Sequence, residues 1–567
     1  MEIGKQVSKR TSLSTFGPVS LSTPSRILLW LLPLSFFIVA FFYPLSRILI
    51  LTLDADALTT GHILLASRVL LFTFYQATLS TLLTLLLGLP AAYLFARYDF
   101  RGKSLLRALT ALPFMLPTVV VAAGFSALLG PRGLFTTFFP LPSFQFIGTL
   151  TAIIIAHVFY NTTIIIRLVG NALSSLDPRL EAAARSLGAN PYRVLWHVTF
   201  PLLRPALLAS LVLVFLFDFT SFGVVLLLGG SQFATLEVEI YLRVLRLPDL
   251  PLAALLSVIQ LVCTILFSIL YSRFATRSTI QTNPRSAQSN LRKTKTRREK
   301  IVVAAFIFLL TSFFILPLSA LPIRSFFRLE ADRGQRGGVQ YGFTTDYYKE
   351  LFINRRGSVF YVPPIRATGN SLAYAGGTVL LSLLLGFPAA FTLAQPTRLE
   401  RILDPFIMLP LGSSAVMLGL GFILSYGAWL TSPLLVPFAH TLVALPFVIR
   451  TLQPAIASIP QRLRQAASSL GASPLEVWKN IDLPILRRAT LAAGTFAFTI
   501  SLGEFGATLL IARPEYPTIP VAIERFLSQP GGLNYGQAMA MATILMLLTV
   551  ASILLIERVR IPGAGEF

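Results

Sequence analysis

Twelve apolar stretches, each long enough to cross a lipid bilayer, restrict this chain more than any other feature of its sequence. They fall near residues 27–51, 67–95, 106–129, 148–173, 205–229 and 251–272, then near 301–321, 368–394, 403–427, 435–453, 489–512 and 535–556. Hydrocarbon offers no partner to a bare peptide group, so each spanning segment must satisfy its own backbone, and a run of about 20 apolar residues does so as a helix. The expected fold class is therefore all-α, a polytopic membrane protein with about twelve transmembrane helices. Only 13% of the 567 residues are charged, and the mean hydropathy is +0.73. So little polar surface would not keep a chain of this size in water.

The net charge of +23 does not point to nucleic acid. The basic residues sit in short segments between apolar stretches, and no basic soluble domain is left to bind a polyanion. Lys5, Lys9 and Arg10 lie in a polar tail, 1–26, and Arg292-Lys293-Thr294-Lys295-Thr296-Arg297-Arg298-Glu299-Lys300 closes a polar linker, 273–300. With the tail, the linker and two repeated turns on one side, most of the 47 Lys and Arg residues gather there, so both termini are expected in the cytoplasm. The apolar run from Ile27 is too long for the core of a cleaved leader and is expected to stay as an anchor. Cys263 is the single cysteine, and His62, His157, His197 and His440 lack ligand spacing, so neither a disulfide framework nor a metal site is expected.

The chain repeats itself. Leu180-Glu181-Ala182-Ala183-Ala184-Arg185-Ser186-Leu187-Gly188-Ala189-Asn190-Pro191 is echoed by Leu463-Arg464-Gln465-Ala466-Ala467-Ser468-Ser469-Leu470-Gly471-Ala472-Ser473-Pro474. Both read as an alanine-rich helix, a left-handed glycine, then a capped second helix with proline in its first turn. Such an elbow, about 177–204 in one copy and about 460–487 in the other, would project as a rigid handle for a cytoplasmic partner. Leu87-Gly88-Leu89-Pro90 also matches Leu385-Gly386-Phe387-Pro388, Leu116-Pro117 matches Leu409-Pro410, and His157 with Arg167 matches His440 with Arg450. The offset falls from 298 to 293 to 283 along the chain, as deletions in loops would produce. The expected division is a tail 1–26, a first half 27–272, the linker 273–300, a second half 301–560 and a tail 561–567. Six spans per half make the halves parallel, with a path between them.

The doubled elbow, each copy followed by a proline pair (Pro201, Pro484), resembles the signature of binding-protein-dependent ABC importer permeases of the type I fold. Two copies in one chain resemble the fused permeases for ferric iron or thiamine. The surroundings Ala156-His157-Val158-Phe159-Tyr160-Asn161, Ser221-Phe222-Gly223 and Gly229-Gly230 to Ile240-Tyr241 are most similar to the thiamine branch. The resemblance implies an external binding protein, a separate ATPase in two copies, and a multi-pass location in the plasma (inner) membrane of a prokaryote. It also implies that Glu181, Ala183, Ala184, Gly188 and Pro201 in one elbow, and Gln465, Ala466, Ala467, Gly471 and Pro484 in the other, couple to that ATPase. Where the family often has glutamate, this chain has Ala182 and Gln465, which shifts docking towards packing and backbone contacts. No nucleotide motif is present, since Gly102-Lys103-Ser104 has Arg97 where a phosphate loop needs its first glycine. The chain is thus expected to be no enzyme and to need no cofactor.

Asp218 and Glu504 lie inside spans, where an acid faces a cavity or a partner, so both are candidates for the path and would suit a cationic substrate. His157 and His440 have no acidic neighbour in sequence and read as packing residues, while Arg167 and Arg450 read as snorkelling to the interface. The segments 322–365 and Ser231 to Leu250 read as outer loops that meet the binding protein. An ion-coupled carrier using Asp218 and Glu504 is the rival reading; a scaffold without transport would leave the duplication unexplained.

Overall fold

The computed structural model describes residues 23–54, 56–139, 145–277, 291–329, 341–354 and 362–559. The tail through residue 22, linker residues 278–290, outer residues 330–340 and 355–361, and the end from 560 lie outside the described residues.

Among the described residues, ten helices are long and apolar enough to span, and two further pairs qualify as spans bent by 77° and 94°. The bundle is therefore all-helical as expected, but four of the expected spans are interrupted. The 106–129 stretch breaks between Lys103–Met115 and Thr118–Leu129. Pro117 supplies no amide hydrogen and keeps Leu116 out of the helical region. The 403–427 stretch breaks between Arg398–Gly412 and Ala415–Tyr426, where the Ser414 hydroxyl accepts from the Met417 amide at 3.1 Å and restarts the helix. The 205–229 stretch ends as a helix at Phe219, and the 489–512 stretch breaks at Glu504.

The two halves share one register. Leu236 N donates to Thr73 Oγ1 at 3.0 Å, and Ile519 N donates to Ser371 Oγ at 2.9 Å, so the same hydroxyl caps the same short helix in each half. The breaks correct one pairing: Pro117 and Ser414 hold the same cap position, so Leu116-Pro117 corresponds to Ser413-Ser414 and not to Leu409-Pro410. The shorter spacing in the second half then arises in the connection before Leu435, which is shorter than the one before Leu150.

Each half lends its first span to the other. A Cβ on Gly421 would fall 2.9 Å from Pro44 Cβ, and one on Gly124 would fall 2.8 Å from the Pro317 carbonyl oxygen. Helix Arg26–Thr52 thus lies against the second half, and Arg297–Phe326 against the first. Their outward leucines and phenylalanines, including Leu28, Leu31 and Phe308, are exposed in the isolated chain, as a lipid-facing surface requires.

Within each half the longest contact closes over a glycine. A Cβ on Gly88 would stand 2.6 Å from Ile165 Cβ, and one on Gly386 would stand 2.7 Å from Val448 Cγ1. Small residues let membrane helices approach this closely. Gly88→Ala or Gly386→Ala should each lower stability by about 1–3 kcal/mol through overpacking. Thermal unfolding of the purified variants checks this, and an unchanged midpoint would contradict the close approach.

Candidate functional site

Irregular backbone at membrane depth persists only where it is buried in protein or lines a path. Here the interruptions of both halves meet one another. A Cβ on Gly223 would fall 2.4 Å from Thr118 Oγ1 and 3.2 Å from Phe505 Cδ1, and one on Gly503 would fall 3.3 Å from Pro117 Cγ. Phe222 and Phe505 hold equivalent positions, and their ring centroids are 5.4 Å apart. Equivalent residues of two related bodies touch only where the axis relating them passes. The pair therefore marks the pseudo-two-fold axis and closes it with two rings. Tyr241 stands edge-on to Phe222 at 5.5 Å.

On either side of this crossing lies a buried polar cluster. In the first half, His157 Nδ1 is 3.3 Å from Asp218 Oδ1 and 3.1 Å from Ser80 Oγ, while Nε2 is 2.8 Å from Ser221 Oγ. Asn161 Nδ2 donates to Asp218 Oδ1 at 2.7 Å, and Gln76 Nε2 donates to the Asp218 carbonyl at 2.9 Å. In the second half, His440 Nδ1 is 2.7 Å from Ser501 Oγ, and Nε2 is 2.7 Å from Thr508 Oγ1 and 3.2 Å from Glu504 Oε2. Glu504 also accepts from the Ala507 and Thr508 amides at 2.9 and 3.0 Å, so it caps helix Gly506–Ile511.

The two clusters are the same device with acid and hydroxyl exchanged. Asp218 and Ser221 in one half stand where Ser501 and Glu504 stand in the other. Neither histidine has an acid near it in sequence, yet each faces a carboxylate 61 and 64 residues further along the chain. Asp218 and Glu504 take all the partners named here from their own half.

The elbows are built as the sequence requires. Gly188 and Gly471 both have φ +84°, where a side chain is strained. Gly188 N donates to Arg185 O and Ala189 N to Ala184 O; Gly471 N and Ala472 N repeat this on Ser468 O and Ala467 O. These paired bonds satisfy the last carbonyls of the first arm and turn the chain sharply. Asn190 Oδ1 accepts from Arg193 N at 2.8 Å to start the second arm, while Ser473 and Glu476 cap each other. The Ser473 amide and then its hydroxyl hold the Glu476 carboxyl below its ordinary range.

Beyond the cap the second arm does not stop, contrary to the expected start of the span near 205. Pro191–Phe219 runs as one element through a wider turn, Leu195–Thr199, placed just ahead of Pro201. Trp478–Asp482 does the same ahead of Pro484. A wide turn accommodates the amide that proline lacks.

Of the residues implied for coupling, Ala183, Gly188, Pro201, Ala466, Gly471 and Pro484 are exposed, and Ala184, Gln465 and Ala467 are partly so. Glu181 instead turns back into the protein, paired with Arg97 and accepting from Thr199 Oγ1 at 3.2 Å. Arg464, its equivalent, pairs with Asp482, the equivalent of Thr199, at 2.8 Å. Each elbow is thus braced by a charge at the same place and of opposite sign. Sequence reasoning passed over Leu187 and Leu470, which stand at the two tips 88% and 89% exposed, outside the apolar band. An apolar residue directly before each left-handed glycine was the available signal.

Two further expectations change. The centre of the Ser231 to Leu250 segment is no outer loop: helix Leu236–Leu245 is largely buried beside the crossing. Its charges misled the reading, since Glu239 is spent on Arg243 at 2.7 Å. Arg450 meets Asp404 at 3.0 Å and does not simply reach for the interface.

A family model described as binding-protein-dependent transport system inner membrane component matches residues 84–280 and again 382–560. A thiamine transport system permease protein of Brucella abortus (strain 2308) is 29% identical over 503 residues, 87% of each chain. Its counterpart in Haemophilus influenzae is 29% identical over 498 residues, 85% of this chain and 86% of that one. The Escherichia coli (strain K12) protein of the same description is 26% identical over 515 residues, 88% and 89%.

Proposed function

Because the chain belongs to the family of binding-protein-dependent transport system inner membrane components, with that module present twice, we propose that it imports thiamine. It is the multi-pass inner-membrane permease of an ABC importer, not an enzyme, and works with a separate ATPase and a substrate-binding protein. Within our reading, two ATPase copies each hold one elbow, both termini and both elbows face the cytoplasm, and the binding protein delivers its cargo on the opposite face. The single observation that carries the proposal is the doubled module together with relatives named for thiamine along most of the chain. Ferric iron, the other expectation, has no such support.

The geometry supplies a mechanism for this reading. Each elbow's second arm leads without a gap into the span that ends beside the crossing, Phe219 in one half and Gly503 in the other. The first of these levers is about 43 Å long at 1.5 Å per residue. Closing the ATPase pair moves Leu187 and Leu470 together, and the levers then part Phe222 from Phe505. The His–acid clusters keep each interruption folded while this happens. Wide turns ahead of Pro201 and Pro484 give each lever one defined place to bend.

The test is ATP-dependent uptake of labelled thiamine into vesicles holding the permease, its ATPase and its binding protein. Uptake lost without ATP is the expected result. Uptake that ignores ATP but follows an ion gradient would overturn the reading in favour of a carrier.

A further inference from the structure

One further buried acid belongs to neither cluster. Glu237, 1% exposed, sits in the first turn of helix Leu236–Leu245, one turn from Tyr241, so the two side chains share a face. Its carboxylate accepts from Gln260 Nε2 at 2.6 Å and from the hydroxyl of Ser414, which belongs to the other half. The polar contact therefore crosses between the halves at the interruption that precedes Ala415–Tyr426. No mirror image of it is possible, because Pro520 stands where Glu237 stands and Pro117 where Ser414 stands.

One acceptor next to Glu237 is unused. Gln260 Oε1 is buried and has no hydrogen-bond partner among the described residues, although the same side chain's nitrogen is used on Glu237. A buried carbonyl left this way costs free energy that a donor would recover. One turn along the helix from Glu237, Tyr241 packs against Phe222, and Phe222 against Phe505; the Arg246 guanidinium already lies over the Tyr241 ring, 5.9 Å from its centroid. Ring faces attract cations, and a carboxylate in a low-dielectric site does so more strongly still.

We propose that Glu237, Gln260, Tyr241, Phe222 and Phe505 form a substrate site within the membrane for an aromatic cation. The rings stack on the heteroaromatic body, the Glu237 carboxylate faces the positive charge, and the Gln260 carbonyl takes an N–H donor. In the closed state Ser414 occupies Glu237; when the halves part, Ser414 withdraws and the cation replaces it. The proposal deepens the thiamine reading and rests on it for the ligand's identity, since thiamine joins a thiazolium cation to an aminopyrimidine.

The test measures equilibrium binding of labelled thiamine to the permease–ATPase complex in nanodiscs, trapped with ATP and vanadate, without binding protein. A neutral thiamine isostere and 1-benzylpyridinium, a simple aromatic cation, are titrated alongside. The wild-type complex should bind thiamine at least tenfold more tightly than the isostere. Glu237→Gln should lose about tenfold in thiamine affinity and most of that preference, while Glu237→Asp should recover part of it. Ser414→Ala leaves the carboxylate in place and should bind thiamine no more weakly than wild type, which separates loss of the site from loss of packing. Equal thiamine affinity in wild type and Glu237→Gln would overturn the site, as would a wild-type complex that binds neither cation. Binding of 1-benzylpyridinium but not thiamine, lost in Glu237→Gln, would keep the site and remove the thiamine reading.

Discussion

Replacing Leu187 and Leu470 together by aspartate should abolish ATP-driven uptake and release the ATPase from the purified complex. Both leucines are almost fully exposed at equivalent elbow tips and lie outside every candidate span. Burying a leucine side chain contributes about 1.5–3 kcal/mol, so two tips supply about 3–6 kcal/mol to docking. That range corresponds to roughly two to four powers of ten in affinity, before the cost of pressing a carboxylate into an apolar cleft. Each single variant should lose about half of this energy and retain slow uptake. Gly188→Glu and Gly471→Glu act by another route, since φ +84° at both positions makes any side chain strained and misdirects the tip. All five variants should insert and fold normally, because both tip leucines are almost fully exposed and a Cβ at either glycine meets nothing within 4 Å. Co-elution of ATPase with permease on a sizing column, alongside uptake, decides the matter. Full co-elution with the double aspartate variant would remove the tips from docking.

The elbows were legible in sequence because every instruction for them is local. Alanines, a glycine, a capping residue and a proline lie within twelve positions, and each acts through its own backbone. Most of the spans were legible for the same reason, hydrophobic length being a property of one segment. What the sequence concealed depends on helices meeting. His157 and Asp218 are joined only by the packing of Leu150–Ser175 against Phe200–Phe219, and nothing near either residue announces it. The interruption at Pro117 carried its own signal, whereas the one at Ser414 depends on a serine cap that many unbroken helices could contain. Glu237 was hidden in a segment whose charges made it look like a loop. Its burial is possible only because Gln260 and a serine of the other half wait for it.

His157→Leu should destabilise the permease by about 1–3 kcal/mol, the usual consequence of leaving a buried polar group without its hydrogen-bond partner. Asp218 would then keep Asn161 Nδ2 at 2.7 Å and a long contact of 3.5 Å from Thr81 Oγ1 on its carboxylate. His440→Leu should cost clearly less. Glu504 retains the Ala507 and Thr508 amides and the Thr508 hydroxyl, three donors fixed by the start of a helix. The exchange of acid and hydroxyl between the halves therefore predicts an order of damage that the near-identical positions of the two histidines do not. The double change His157→Leu with Asp218→Leu should recover much of the stability lost by His157→Leu alone, because a well-packed apolar pair leaves no buried carboxyl short of a partner. Thermal unfolding of the purified variants, with the amount of folded protein in membranes as a second readout, measures both expectations. Equal losses from the two histidine changes, or a double variant no more stable than His157→Leu, would mean that the carboxylates do not depend on their imidazoles. Confirmation of the order would assign the first-half cluster to holding its interruption through side chains, and the second-half cluster to holding it chiefly through a helix cap.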